Sequence, residues 1–575
     1  MQVILEAIQF NHNSASATCD AFNIRRNETE FVTTPEWRRG RTVRPEQSLA
    51  AYAIKEIGQN VITIKAKFRC RNPKVKGVEV RVINLLEHPC GGLANDADGA
   101  VLSTVHPPPP GVSDVLGIVP PQPVKFLKDG EILKLKDSKL SQAGVGTHII
   151  HWQWQYRRDA QDSWKNLEKS CHTIYVVHNV PKRPWLQEPY DEDNKQLPWT
   201  DVLDYACHWA NHTHQPDEAA ARVTSSLRDV EKVFLIVYDP SSFYSDPNFD
   251  CTAFLQLLKD GIGKGNRLNC SDCATVVSTF ANILGCALWQ STMDMTGTAN
   301  TFRTNPIRLF GRTCWRETNF VMHEVAWKAR CSERDSLFDA TLELDGDDRP
   351  SKPPQTPLLP RNLRFGGLRD REYLFRLFSP SNSGSLEPRP TTKQRRPIRP
   401  NPTAKVKPLS PALLKLVKAL YEFDKWPKTR PSNNIFITPD FVETSLTTKK
   451  SFLGLNFLVG PHLVQSANRP PTIQMLIKLM DQHIRIDIDV CSSGKEARKA
   501  LLQRLGQFET PTLQRRTDLE IGEIAFVEPE VGALLFLRSN LVGMIRNAGT
   551  AAANMTDFGP RLDLLFLDLM VQQDA

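Results

Sequence analysis

At 575 residues, with 40% hydrophobic and 24% charged side chains, the chain has ordinary globular composition and material for three or four domains. Its 72 basic residues stand against 64 acidic ones, and the net charge of +8 is too mild to call for a nucleic-acid partner. No stretch approaches the ~20 apolar residues of a membrane helix, and the opening MQVILEAIQF lacks the basic start and unbroken apolar core of a signal peptide. The expected setting is therefore the cytoplasm, with no membrane partner; a non-classical export route leaves no readable mark. In that setting the twelve cysteines are expected as free thiols, most of them buried as small hydrophobes.

Residues 1–182 are β-rich. Val61–Phe68, Val78–Val82, Thr147–Arg157 and Thr173–Val177 alternate apolar and polar in the manner of half-buried strands, with a Pro107–Pro110 run among the turns. The pattern predicts an all-β sandwich, immunoglobulin-like, with an extra N-terminal β segment. Trp152, Trp154 and Trp164 are expected as sandwich core and rim; the competing reading is a carbohydrate or protein platform.

Pro181–Pro198 is a polar connector. Beyond it, Trp199–Ala210 and Pro216–Leu227 have helical spacing, the second with acidic residues in its first turn. Val233–Tyr238 is an apolar run that fits either a strand or the end of a helix, and Phe254–Leu258 fits a short helix. Ser271–Leu284 is a helix of small and apolar residues closed by Gly285. Phe320–Ala329 and Asp335–Leu344 are strand-like. Thirteen of the 41 prolines fall between Pro350 and Pro411, and Arg389–Lys407 carries basic residues and no acidic one. This stretch, 346–411, is expected as a linker or extended surface segment, with contact to an anionic partner as the lesser alternative. From residue 412 an α+β domain follows. Its expected strands are Ile484–Val490, Asp518–Val527, Ala533–Leu537 and Leu541–Arg546; its expected helices are Gly494–Phe508 and Phe558–Val571. It shows no polar constellation suggesting chemistry and is read as a binding or assembly module.

Cys270 stands at the start of the Ser271–Leu284 helix. Backbone N–H groups at a helix start point at such a sulfur and the macrodipole favours negative charge, so the thiol is expected to be acidified and nucleophilic. A thiol nucleophile benefits from a base. His323 lies in an apolar strand-like run beside Val321, Val325 and Trp327, and sixteen residues later Asp339 puts a carboxylate into another apolar run. A buried carboxylate needs a partner. Adjacent antiparallel strands would bring it to the imidazole and fix the tautomer.

These residues resemble the core motifs of the transglutaminase-like superfamily. Cys270, Asp272 and Ala274 match its Cys-x-Asp-x-Ala helix start, Gly285 its glycine fifteen residues on, His323 with Trp327 its histidine strand, and Asp339 with Thr341 its Asp-x-Thr ending. The resemblance covers residues 199–345, roughly a quarter of the chain. It implies a papain-like α+β domain and Cys-His-Asp chemistry on amide bonds of a protein or peptide substrate. No cofactor is expected, and since the sequence shows no calcium-site pattern of the animal cross-linking enzymes, no calcium dependence is expected either. Three departures bear on substrate choice: Leu268 replaces a frequent glycine, Cys286-Ala287-Leu288-Trp289 replaces a frequent Ile-Pro-Ala-Arg, and Trp327 lies four residues after the histidine. The Cys270 N–H is the expected first oxyanion donor.

The whole is thus expected to be multidomain: a β sandwich (1–182), a catalytic domain (199–345), a proline-rich linker (346–411) and a C-terminal α+β domain (412–575). The N-terminal sandwich or the C-terminal domain would carry any protein partner. The competing class is a catalytically silent binding or assembly protein on the same fold. Cys270-x-x-Cys273 also admits a redox pair or half a zinc site, but no second such pair exists and no hydrophobic strand precedes it. Cys207, His208, His212 and His214 cluster at a helix end and are expected as ordinary side chains rather than metal ligands. Leu344–Asp348 is expected as a polar turn rather than a calcium loop.

Overall fold

A computed structural model describes all residues except 1, 14–16, 43, 86–106, 108–109, 188–193, 296–300, 348–353, 355, 380–386, 400–408, 428–436, 449–450, 453–454, 466–468, 531, 551–552 and 575. Cys90, Asp348, part of the Pro107–Pro110 run and residues 400–407 of the basic stretch therefore lie outside the described residues. The protein is a mixed α and β structure with several sheets. It forms two compact units, one of Met1–Ser226 with Val277–Leu288, the other of Leu227–Val276 with Trp289–Ala575.

In the first unit, a four-stranded sheet runs in the order Trp37–Arg38, Val3–Gln9, Thr63–Cys70, Glu131–Lys134. A five-stranded sheet runs Leu49–Ala53, Lys165–Val177, Gly146–Arg157, Gly77–Asn84, Gln122–Lys125. The period-2 pattern explains how they meet. Ile64, Ala66 and Phe68 from one sheet and Val80, Val82, Trp152, Trp154 and Val176 from the other enter one buried core. Trp152 and Trp154 are fully buried there, and Trp164 lies at the edge with the Arg81 and Arg157 guanidiniums 4.2 and 4.6 Å from its ring. Gly285 has φ +89°, and a Cβ there would meet the Asn179 carbonyl oxygen at 2.7 Å, so the turn that ends the Cys270–Ile283 helix admits only glycine.

In the second unit the Val233–Tyr238 run is both of the things it suggested. The helix Pro216–Phe234 ends in it, Leu235 reverses the chain at φ 51°, and Val237–Tyr238 pairs in parallel with Arg267–Leu268. An antiparallel five-stranded sheet follows in the order Arg361–Arg364, Ser336–Phe338, His323–Trp327, Trp289–Asp294, Arg389–Pro390. Its two edge strands come from the proline-rich stretch read as a linker, as does the helix Tyr373–Leu377. Those residues fold because they have apolar anchors: Phe365, Tyr373, Leu374 and Leu377 are all fully buried.

The chain from Ser451 onward builds an eight-stranded antiparallel sheet. Alternating residues of one strand serve opposite faces: Leu534 and Phe536 enter one core, Ala533, Leu535 and Leu537 the other. Helices Pro439–Thr447 and Gly559–Asp574 cover the first face; Pro411–Leu420 and Gly494–Leu505 cover the second. The helix expected to reach Phe508 ends at Leu505, capped at its start by Ser493. Residues 506–509 form a separate loop, which carries a residue of the site. No helix among the described residues is long and apolar enough to cross a membrane.

Candidate active site

The helix Cys270–Ile283 begins with a reciprocal cap. The Asp272 N–H donates to Asn269 Oδ1 at 2.8 Å, and the Asn269 N–H donates to Asp272 Oδ2 at 3.3 Å. Asp272 does more than cap. Its buried carboxylate accepts the N–H groups of Phe243, Tyr244 and Ser245 and the Ser242 hydroxyl, at 2.7–2.9 Å, so the loop 242–245 is wrapped around it. The aspartate of the Cys-x-Asp pattern is therefore a positioning group that locks a loop to the helix bearing the thiol.

His323 opens its strand, and antiparallel pairing of Ala326 with Phe338 carries the chain to Asp339, the residue just past the neighbouring strand. His323 Nε2 and Asp339 Oδ2 lie 2.8 Å apart. Asp339 is held in turn by the Thr341 N–H on Oδ1 and the Tyr373 hydroxyl on Oδ2, both at 2.8 Å. The other ring nitrogen, Nδ1, is buried without a hydrogen-bond partner. A His323 ring nitrogen, Cys270 Sγ and a carboxylate oxygen of Glu509 lie within 4.8 Å of one another. Cys270, His323 and Asp339 are thus brought together as the sequence suggested, with Cys270 and His323 fully buried and Asp339 nearly so.

Glu509 is the residue that sequence reasoning missed. It lies in the stretch whose sequence suggests no chemistry, and nothing in Phe508-Glu509-Thr510-Pro511 marks it except a carboxylate next to a buried phenylalanine. Its Oε1 accepts from the Cys270 thiol at 2.6 Å, the Cys270 N–H at 2.9 Å and the Ser271 N–H at 3.3 Å; its Oε2 accepts from the Tyr238 hydroxyl at 2.9 Å. The backbone is pinned on both sides, with Glu509 N–H donating to the Pro240 carbonyl and Val321 N–H to the Glu509 carbonyl. A carboxylate oxygen therefore occupies the point at which the first two amides of the helix converge, the natural seat of an anion.

This arrangement corrects the expectation of an acidified thiol. Burial pushes the Cys270 thiol well above its usual range, and the Glu509 and Glu324 carboxylates push it further. The N–H of Glu324, which donates to Sγ at 2.9 Å, opposes this without reversing it. Burial likewise pushes the Glu509 carboxyl well above the carboxylate range, against the hydrogen bonds that Cys270, Tyr238 and Ser271 supply. In this conformation the helix start is already spent on Glu509.

Glu324 itself faces away from the imidazole. It takes the Ser271 hydroxyl at 2.8 Å and is paired through two nitrogens with Arg396, a residue of the basic stretch, which also reaches Thr275 Oγ1 at 3.0 Å. A cavity of about 270 Å³ adjoins this pair. Its lining includes Asn269 and Ser271, the neighbours of the thiol, Met322 and Glu324, the neighbours of the imidazole, and Gly506 and Gln507 from the loop that bears Glu509.

Cys273 is a free, buried thiol on the first turn. Of the other cysteine and histidine cluster, Cys207 is buried and His212 and His214 are exposed. Among the described residues, the one group of three His, Cys, Asp or Glu side chains placed to hold a metal is Cys270, His323 and Glu509. No family model matches the sequence, and no curated protein does.

Proposed function

We propose that the second unit carries the site of a thiol-dependent enzyme of the transglutaminase-like kind, papain-like in its α+β core, that acts on amide bonds and whose thiol is covered by Glu509 in this conformation. An immunoglobulin-like sandwich precedes it. The observation that carries the reading is the imidazole of His323, tied by Nε2 to Asp339 with Nδ1 left unpartnered near the Cys270 sulfur.

With the Glu509 carboxyl withdrawn, Nδ1 takes the thiol proton and Sγ attacks the carbonyl carbon of a carboxamide or peptide. The carbonyl oxygen becomes an oxyanion at the place Glu509 Oε1 holds now, facing the Cys270 and Ser271 N–H groups. Ser271 N–H is thus the second donor that the sequence left unnamed. The imidazolium then gives its proton to the leaving nitrogen, the C–N bond breaks, and a thioester remains. Water releases an acid and an amine releases a new amide; hydrolysis is preferred because two of the three carboxylates that line the cavity are already paired with guanidiniums, Glu324 with Arg396 and Asp246 with Arg469. Withdrawal of residues 506–509 joins that cavity to the thiol.

The competing reading is a silent binding or assembly protein, favoured by the complete burial of Cys270 and His323. Mass spectrometry of a peptide library, with and without added amine, separates them. Glu509→Ala should turn over peptides at least tenfold faster than wild type, and Cys270→Ala not at all. No turnover by any of the three proteins leaves the silent reading.

A further inference from the structure

The same three side chains make a ligand set that has nothing to do with amide bonds. Sulfur, imidazole nitrogen and carboxylate oxygen converge within 4.8 Å, and all three residues are fully buried. His323 Nε2 is taken by Asp339, so Nδ1, which has no hydrogen-bond partner, is the nitrogen left for a ligand. A carboxylate on the far nitrogen is what a metal-bound histidine ordinarily has: it fixes the ring and makes the near nitrogen a better donor. Asp339 is in turn fixed by Thr341 and Tyr373.

Charge and size point the same way. A thiolate, a carboxylate and a neutral imidazole together carry two negative charges, which one dication cancels in a site where unpaired charge is costly. Tetrahedral zinc places sulfur and oxygen ligands about 3.6 Å apart. The Cys270 sulfur and Glu509 oxygen are 2.6 Å apart across a shared proton, so a metal would replace that proton and part them by about 1 Å. Sulfur with nitrogen and oxygen suits zinc rather than the hard ions magnesium and calcium.

We propose that Cys270 Sγ, His323 Nδ1 and the Glu509 carboxylate form a binding site for a zinc-class dication with an open fourth position, Asp339 serving as its outer support. Binding forms metal–sulfur, metal–nitrogen and metal–oxygen bonds and sends the thiol and carboxyl protons to solvent. The ion holds Glu509 over the thiol and so keeps the site closed. The metal site goes beyond the amide-bond reading and stands without turnover.

The test uses the full chain, stripped by chelator dialysis and titrated with cobalt(II) alone. One equivalent should give the near-ultraviolet thiolate-to-cobalt absorption and tetrahedral visible bands, and zinc should abolish both on competition. Cys270→Ser should remove the charge-transfer band, Glu509→Gln should weaken binding, and Asp339→Asn should weaken it by about 10–100-fold. Cys314→Ser, at an exposed thiol, should change nothing. Circular dichroism of each variant checks its fold. A wild-type protein without the charge-transfer band, or a band that survives Cys270→Ser in a folded protein, overturns the proposal. Cobalt bands without peptide turnover in Glu509→Ala keep the metal site and sink the enzyme; turnover without bands does the reverse.

Discussion

Single side chains decide this site by what they leave for one another. Asp339 orients His323 because it is itself oriented, by the Thr341 N–H and the Tyr373 hydroxyl. Tyr373→Phe removes one charge-assisted hydrogen bond from a nearly buried carboxylate, which should cost about 1.5–3 kcal/mol in urea unfolding of the full chain. An unchanged unfolding midpoint would show that Tyr373 does not support Asp339. Cys270, His323 and Asp339 were legible in the sequence because each is a polar residue of a chemical type rare inside an apolar run. Tyr373 was not, since a tyrosine in a proline-rich stretch has no local feature that tells a site residue from a surface one. Glu509 was hidden for the same reason: its partners lie 238 and more positions away, and no periodicity encodes that separation.

At the scale of elements, the thiol helix is placed by its cap. Asp272 both closes the first turn and gathers the N–H groups of Phe243, Tyr244 and Ser245. Asp272→Ala strands those buried donors. Each unsatisfied one costs about 1–3 kcal/mol, so the second unit should lose at least about 3 kcal/mol, with faster amide hydrogen exchange in 242–245. Exchange there as slow as in the wild type would contradict the role given to the carboxylate. Strands and helices were read well where burial is one-sided or periodic, as in Gly146–Arg157 and Gly559–Asp574. The sequence over-extended the Gly494–Leu505 helix because Gly506 keeps right-handed helical angles, φ −74° and ψ −6°, and gives no clear stop. The strands of the proline-rich stretch, Arg361–Arg364 and Arg389–Pro390, were missed because prolines and arginines suit sheet edges as well as linkers.

Across the whole molecule the two units differ in what they bury. The first buries histidines: burial holds His172 down to about 3, and His148 and His178 to about 4, with the neighbouring His151, His212 and His214 adding to it. A neutral histidine favoured by the fold gives stability that is complete above about pH 6.5 and is lost as the pH falls toward 4. The same unit buries Glu36, raised by burial to about 7, Asp204, raised by burial to about 6, and Asp20, also raised by burial; these gain stability as the pH falls. The balance leaves at most about one proton, so stability should fall by no more than about 1.4 kcal/mol per pH unit between pH 6 and 4.5. Urea unfolding followed by tryptophan fluorescence checks this, since Trp152 packs on His172; a loss several times steeper would mean the carboxyls do not offset the histidines. The second unit instead buries a thiol, an imidazole and two carboxyls in one place. That juxtaposition makes the account, and the rate of Cys270 modification by iodoacetamide at neutral pH, read by peptide mass spectrometry, tests it most directly. The wild type should react slowly at Cys270 and Glu509→Ala at least tenfold faster, while exposed Cys314 keeps one rate in both. Equal, slow modification of Cys270 in the two proteins would contradict it.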